Sequence, residues 1–137
     1  MTALEFAQDN GGDVSLLGPK ERQRLLQDWR EIFAREVKAK TGKWVHLGYE
    51  WHAFSYQFTR SEGGARALSL YLEEAEREVC VIPEDDGERA FSCRSRALLD
   101  FSICRTDILV FPPALVWTAV FTHEQPEFGP YFSRAEW

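Results

Sequence analysis

The chain has 137 residues and a net charge of −6 at pH 7, and it is 45% hydrophobic and 14% aromatic. This length and composition fit one folded domain with a sizeable core and exclude disorder of the whole chain. The acidic balance argues against nucleic-acid binding, which needs a basic surface, and no apolar run approaches the roughly 20 residues that span a bilayer.

The first 17 residues predict a weakly ordered lead-in, because Asn10 to Asp13 reads NGGD and is typical of a turn or flexible break. The N-terminus has neither the basic start nor the long apolar run of a signal peptide. Three cysteines without a CxxC pair favour reduced, buried thiols and a cytoplasmic location. We therefore expect one domain over residues 18–137.

Two helices are predicted. The first covers roughly Pro19 to Lys40, where apolar residues recur at helical spacing and a proline suits the first turn. The second follows a glycine-rich turn and ends near Arg77. Between them, Tyr49 to Phe58 alternates with large aromatics on both faces, which predicts a central strand.

The rest of the chain predicts short strands separated by turns. An acidic Asp-Gly turn at residues 84–88 predicts a hairpin, and a single helical turn fits residues 95–100. The predicted strands are Val79–Ile82, Ala90–Cys93, Ile108–Phe111, Leu115–Thr122 and Tyr131–Ser133. This order predicts the α+β class: a single domain whose mostly antiparallel sheet is packed by two helices.

Few residues could carry chemistry. His52, His123 and Glu124 are zinc-type ligands that would form a site if their strands were neighbours, but no HExxH motif is present. We therefore predict no metal and no other cofactor. The alternative account of His52 is an imidazole packed among aromatics with one nitrogen hydrogen-bonded. The alternative account of residues 122–124 is the end of a strand, after which the chain turns back into the core.

Catalysis has no sequence motif to support it. Ser55 lacks a GxSxG elbow, and no glycine-rich phosphate loop occurs. Cys93 and Cys104 each precede an arginine, but neighbouring side chains of a strand point to opposite faces, so inert buried thiols are favoured. An enzyme with Ser55 or Cys93 as nucleophile would require hydrogen-bond contact with His52 or His123.

Two segments together carry a resemblance. They are EWHAFS at residues 50–55 and WTAVFTHE at 117–124, the latter followed by GPYF at 129–132. They are similar to a small bacterial domain family of unknown function with W-H-x-F-S, W-T-x-x-x-T-H-E and G-P-Y-F motifs. The resemblance covers helix one to Phe132 and implies a stand-alone bacterial cytosolic protein with no assigned mechanism.

The resemblance also implies that polar and aromatic motif residues belong together. The resulting candidate ligand site comprises Trp51, His52, Ser55, Trp117, His123, Glu124 and Tyr131. Such a polar cluster walled by aromatics either binds a small ligand or forms a satisfied buried hydrogen-bond network.

The function that we predict from the sequence is a non-enzymatic binding domain. Small acidic proteins of this kind also resemble the immunity partners of secreted bacterial toxins. The candidate partner surface for a basic protein consists of Glu84, Asp85, Asp86 and Glu88. The alternative function is binding of a small molecule or metal at the His/Glu site.

Overall fold

The computed structural model covers residues 1–137 and contains one seven-stranded sheet between two layers of helices. All strand pairs are antiparallel, in the spatial order β1-β4-β3-β5-β6-β7-β2. The helices are α1 (Ala3–Asp9), α2 (Pro19–Phe33), α3 (Arg35–Thr41), α4 (His52–Ser55) and α5 (Gly64–Leu72). The strands are β1 (Asp13–Leu16), β2 (Glu62–Gly63), β3 (Glu78–Pro83), β4 (Phe91–Arg94), β5 (Ile108–Phe111), β6 (Trp117–Phe121) and β7 (Tyr131–Arg134).

The central strands are apolar on both faces because helices cover both sides of the sheet. In β3, Val79 and Val81 face a core that also contains residues of α1 and α5. The intervening Cys80 and Ile82 face a second core with residues of α2, α3 and α4. The α+β prediction with a mostly antiparallel sheet is confirmed, although five helices rather than two pack against the sheet.

The predicted first helix is interrupted at Ala34, a buried residue with φ −115° and ψ 15°. At the break the Phe33 carbonyl accepts a 2.6 Å hydrogen bond from the Thr59 hydroxyl. The chain therefore forms α2 and α3 in succession. The Trp29 indole N–H fastens α2 to the sheet by donating to Thr118 Oγ1 at 2.9 Å.

The first 17 residues contain α1 and β1 in place of the predicted weakly ordered lead-in. Thr2 and Glu5 form a reciprocal capping box that satisfies two free N–H groups at the start of α1. Ala3 and Ala7 are fully buried against the sheet, and β1 pairs with β4. Because these two side chains on the inner face are small, α1 packs close to the sheet.

The predicted central strand at Tyr49 to Phe58 is wrong. The segment forms turns followed by the short helix α4, and its only ladder contact is a bridge between His46 and Tyr49. Leu47 and Gln57 have φ of 51° and 60°, a left-handed conformation that interrupts an extended chain. Aromatic side chains point to both sides of this segment because it lies over the end of the sheet, where it contacts α2 and the loops.

The predicted strands after residue 78 are confirmed within two residues at each end. Helix α5 ends at Leu72, earlier than predicted. The helical turn expected at residues 95–100 is wrong: a 3-10 turn lies instead at Phe101–Cys104, where the Asp100 carboxylate caps the Ser102 N–H. No helix is both long enough and apolar enough to cross a membrane.

The functional groups gather at one end of the sheet. There β3 ends, β5 begins, β6 ends and β7 begins, as the pairs Pro83–Ile108, Ile108–Phe121 and Val120–Tyr131 show. Residues 44–58 cover this end. Side chains from four strand ends and one irregular segment therefore meet there.

Candidate functional site

An aromatic-lined cavity of about 440 Å³ opens beside α4. We call it the aromatic pocket, and its lining residues are Trp51, His52, Ser55, Tyr56, Glu124 and Phe128. Its size is in the range of about 300–1,000 Å³ that small-molecule sites occupy. Tyr56 and Phe128 are 53% and 48% exposed, so two aromatic rings are open to solvent at the pocket.

Two polar groups of this pocket lack partners. Trp51 is 1% exposed, yet its indole N–H donates to no acceptor. The Ser55 hydroxyl is also buried without a partner. A buried donor left unpaired costs about 1–3 kcal/mol. The pocket is therefore not a fully satisfied hydrogen-bond network, and a ligand that carries an acceptor would relieve part of this cost.

The alternative account of His52 is confirmed. Its Nδ1 lies 2.7 Å from the His46 carbonyl, and because a carbonyl only accepts, Nδ1 carries the proton. Its ring packs against Trp51 and Tyr56, with centroids 4.5 and 5.0 Å away. Since His52 also lines the aromatic pocket, Nε2 is left as a polar atom that can face a ligand.

The loop between β6 and β7 brings Glu124 and Phe128 to the pocket. The Thr122 hydroxyl donates to the Phe128 carbonyl and accepts from the Glu124 N–H at 3.2 Å, which closes the loop. Gly129 has φ +101°, and a Cβ added there would lie 3.0 Å from Thr122 Cγ2. The threonine and the glycine of the C-terminal motif thus set the loop conformation.

His123 is fixed by Asp107 rather than by His52. Its Nδ1 lies 2.9 Å from both carboxylate oxygens of Asp107, and its backbone N–H donates to Oδ1 at 3.0 Å. The imidazole packs on Tyr49 and Trp51, with centroids 5.1 and 6.1 Å away. Because both rings also contact His52, at 5.4 and 4.5 Å, the two histidines belong to one aromatic cluster without touching.

The structure brings together most of the site residues that the sequence predicted. Trp51, His52, Ser55 and Glu124 line one pocket. Tyr131 stacks on Trp51 with ring centroids 6.4 Å apart, and burial together with Glu124 raises its phenol pKa. His123 adjoins the pocket through Trp51.

Trp117 lies elsewhere, contrary to its inclusion in the predicted site. It is fully buried in the core on the opposite face of the sheet, where it stacks on Phe132. Its indole N–H donates to Glu76 at 3.2 Å. Trp117 is therefore a core residue with a satisfied polar atom, since β6 turns alternate side chains to opposite faces.

The arrangement required for a serine or cysteine nucleophile is absent. The Ser55 hydroxyl has no hydrogen-bond partner, so neither His52 nor His123 hydrogen-bonds to it. Cys93 lies in the core beneath α1, and burial raises the pKa of its thiol. All three cysteines are free and buried, as predicted, and burial raises the pKa of Cys80 to about 11.

No group of three or more metal-ligating side chains is arranged to hold an ion.

A second cavity, of about 380 Å³, lies between α2 and residues 45–50. We call it the Arg–Glu cleft, because Arg22, Arg30, Glu50 and Glu84 line it. Glu50 is 5% exposed and accepts from Arg30 Nε at 2.5 Å. Burial raises the pKa of Glu50, and the charge of Arg30 opposes this shift.

Glu84 has the larger shift of the two carboxyl groups. Burial raises its pKa to about 8, and the neighbouring charges of Glu50 and Asp107 also raise it. Backbone N–H donors at Glu50 and Trp51 act in the opposite direction without cancelling the effect. The buried Glu84 carboxyl group therefore keeps its proton to a higher pH than a solvent-exposed glutamate does.

The predicted acidic partner surface is smaller than the sequence indicated. Asp85 and Asp86 are exposed at the turn between β3 and β4, and Asp85 caps the Gly87 N–H at 2.9 Å. Glu88 is half-buried, and its Oε1 has no partner. The Glu84 side chain lines the cleft, where its Oε1 accepts from the Glu50 N–H.

Sequence reasoning missed several residues that build these sites. Phe128 is a wall of the aromatic pocket, and Asp107 is the partner of His123. Both lie in segments without hydrophobic periodicity, so no sequence pattern indicates either role. Arg22, Leu26 and Arg30 recur at intervals of four residues along α2 and line the cleft together. This four-residue spacing, which places side chains on one side of a helix, is the only signal in the sequence for the cleft.

These features define a three-layer α+β domain with an antiparallel sheet and two cavities at one sheet end. The family model for a domain of unknown function, DUF4275, matches residues 14–132, and the chain belongs to that family. The matched range contains both cavities, whereas α1 lies before it. No curated protein and no solved structure matches the chain.

Proposed function

We propose that this protein is a non-enzymatic binding protein for a small organic cation held in the aromatic pocket. The observation that carries the proposal is the unpartnered indole N–H of Trp51, a 1% exposed side chain that lines the cavity. A buried donor without an acceptor favours a ligand that supplies one.

The chemistry of the walls selects the charge of the ligand. Trp51, Tyr56 and Phe128 present aromatic rings, and Glu124 adds a carboxylate. Ring faces attract cations, with about 0.5–2 kcal/mol for each well-placed contact, and a carboxylate strengthens that preference. A ligand with a positively charged head and a nearby acceptor oxygen matches both the rings and the Trp51 N–H.

Choline and its neutral isostere 3,3-dimethyl-1-butanol form the matched probe pair for calorimetric titration. We expect choline to bind at least tenfold more tightly than the alcohol and to shift the NMR resonance of the Trp51 indole N–H. Equal affinities, or choline binding without a shift of that resonance, would contradict the proposed site.

Two variants locate the site. Glu124→Gln removes the carboxylate, and its matched control is Glu127→Gln in the same loop, which lies outside the pocket lining. Phe128→Ala removes one exposed ring and should weaken choline binding by about 2- to 30-fold, equivalent to the 0.5–2 kcal/mol of one cation–π contact. Glu127→Gln should bind choline as the wild type does.

A second candidate function is binding of a basic protein by the acidic turn. The exposed Asp85 and Asp86 and the net charge of −6 support it. Replacing both residues with lysine should abolish capture of such a partner from a bacterial host lysate, whereas Glu127→Lys should not. Capture that is insensitive to both salt and these variants would contradict it. The three free cysteines support a cytosolic location for either function.

A further inference from the structure

The Arg–Glu cleft is a built cavity that the aromatic pocket does not include. Its apolar lining consists of Leu26, Val45, Ile82 and Leu109. Its walls carry the guanidinium groups of α2 and the buried carboxyl group of Glu50. A cavity of about 380 Å³ with an apolar lining and a few converging polar groups is typical of a small-molecule site.

Polar atoms of both kinds lack partners in this cleft. Glu50 is 5% exposed, and while its Oε1 contacts Arg30, its Oε2 accepts from no donor. Arg22 donates through one terminal nitrogen to the Pro83 and Glu84 carbonyls at 2.8 and 3.4 Å, but its buried Nε–H has no acceptor. Glu84 Oε2 is a third buried polar atom of this cleft without a partner. Beside this carboxyl oxygen, the cleft offers one anionic acceptor, Glu50 Oε2, and one cationic donor, Arg22 Nε–H.

The charges on the walls exclude ligands of a single sign. A simple anion would face Glu50 together with Asp85 and Asp86 at the edge of the cleft. A simple cation would face Arg22 and Arg30. A molecule that carries both charges can pair each with its complement and avoids both repulsions.

We propose that the Arg–Glu cleft binds a small zwitterion of the α-amino-acid class with an apolar side chain. The ammonium group donates to Glu50 Oε2, the carboxylate accepts from Arg22 Nε–H, and the side chain packs on Leu26, Ile82 and Leu109. This site is separate from the proposed cation site, so the two proposals succeed or fail independently.

A series of three probes on the wild-type protein tests the charge requirement. L-Leucine carries both charges, 3-methylbutylamine lacks the carboxylate and 4-methylpentanoate lacks the ammonium. In calorimetric titrations we expect leucine to bind at least tenfold more tightly than either of the other two. No leucine binding at millimolar concentration, or equal affinity for one of the half-molecules, overturns the proposal.

A variant tests the location. Glu50→Gln should weaken leucine binding at least tenfold, whereas the control Glu31→Gln, an exposed carboxylate on α2 outside the cleft lining, should not change it. If Glu50→Gln does not fold, the titrations of the wild-type protein with the three probes still test whether the ligand must carry both charges. Leucine should perturb the NMR methyl signals of Ile82 and Leu109 but not the Trp51 indole. If leucine perturbs only signals of the aromatic pocket, the assignment of the leucine site to the Arg–Glu cleft is overturned. Phe128→Ala, a change in the aromatic pocket, should leave the affinity for leucine unchanged.

Discussion

Glu84 Oε1 accepts a 2.8 Å hydrogen bond from the backbone N–H of Glu50. This bond fastens the backbone at Glu50 to the end of β3, and the side chains of Glu50 and of the next residue, Trp51, line different cavities. One contact between a carboxyl group and the backbone therefore positions the walls of both candidate sites.

Glu84→Gln should change how stability depends on pH. The unfolded Glu84 carboxyl titrates near its ordinary pKa of 4.5 and the folded one near 8. Between these values the folded state binds more protons than the unfolded state, so the Glu84 contribution to stability decreases as pH rises and is constant above pH 8.

Urea unfolding of wild type and Glu84→Gln between pH 5 and pH 9 measures this effect. Glutamine keeps the acceptor for the Glu50 N–H but cannot ionise. The wild type should lose stability relative to the variant with a slope of up to about 1.4 kcal/mol per pH unit, the limit for one proton. Parallel stability curves for the two proteins would contradict the raised pKa.

Thr118→Val should destabilise the fold by about 1–3 kcal/mol, because it leaves a buried donor unpaired. Thr118 Oγ1 accepts from the Trp29 indole and donates to the Val110 carbonyl at 3.0 Å, and Thr118 is fully buried. Thr118→Ser keeps the hydroxyl and loses only a methyl group, so it should cost less. Denaturant melts compare the two variants, and an equal cost would show that the hydrogen bonds contribute little.

Gly129→Ala should cost about 1–3 kcal/mol and weaken choline binding. A positive φ of 101° and a Cβ 3.0 Å from the Thr122 side chain both oppose alanine, and the strained loop carries Glu124 and Phe128. Gly63→Ala is the control, since its Cβ would meet Tyr131 at an ordinary 3.6 Å. We expect that control to change the free energy of unfolding by less than about 0.5 kcal/mol in thermal melts.

Ala7→Glu should detach α1 from the sheet and expose two thiols selectively. Cys104 Sγ lies 4.0 Å from the Thr2 carbonyl, and Cys93 belongs to the same core as Ala7, whereas Cys80 faces the α2 side. Ellman's reagent should then react with two thiols per chain in the native state and with none in the wild type. Gln8→Glu, an exposed change on the same helix, should match the wild type.

The strands of the C-terminal half were predictable because each is a short apolar run bounded by proline, glycine or acidic turn residues. The same reasoning failed at residues 49–58, where period-two alternation of aromatics arises from a short helix buried between loops and α2. Aromatic residues on both faces of an alternating pattern indicate that the segment is buried on two sides. A short helix enclosed by other elements is buried in the same way, so the pattern is not specific to a strand. The turns at Leu47 and Gln57 were not predictable, because leucine and glutamine are not residues that usually adopt a left-handed conformation.

The aromatic pocket was half predictable. Motif residues Trp51, His52, Ser55 and Glu124 were grouped correctly, whereas Trp117 was misplaced because spacing alone does not decide which face of β6 a residue occupies. The cleft was not predictable, since it depends on the direction of Glu84 within an acidic turn. A buried carboxyl group and an exposed one have the same sequence signature until the fold places them.

Residues 46–56 contribute cavity walls but almost no ladder hydrogen bonds, apart from the bridge between His46 and Tyr49. The sheet register is held by backbone pairs of other segments. The exposed wall positions are thus distinct from the backbone pairs that hold the sheet register. A library randomised at Tyr56 and Phe128, two exposed wall positions, should yield folded proteins with altered ligand preference, which makes this domain a scaffold for engineered receptors.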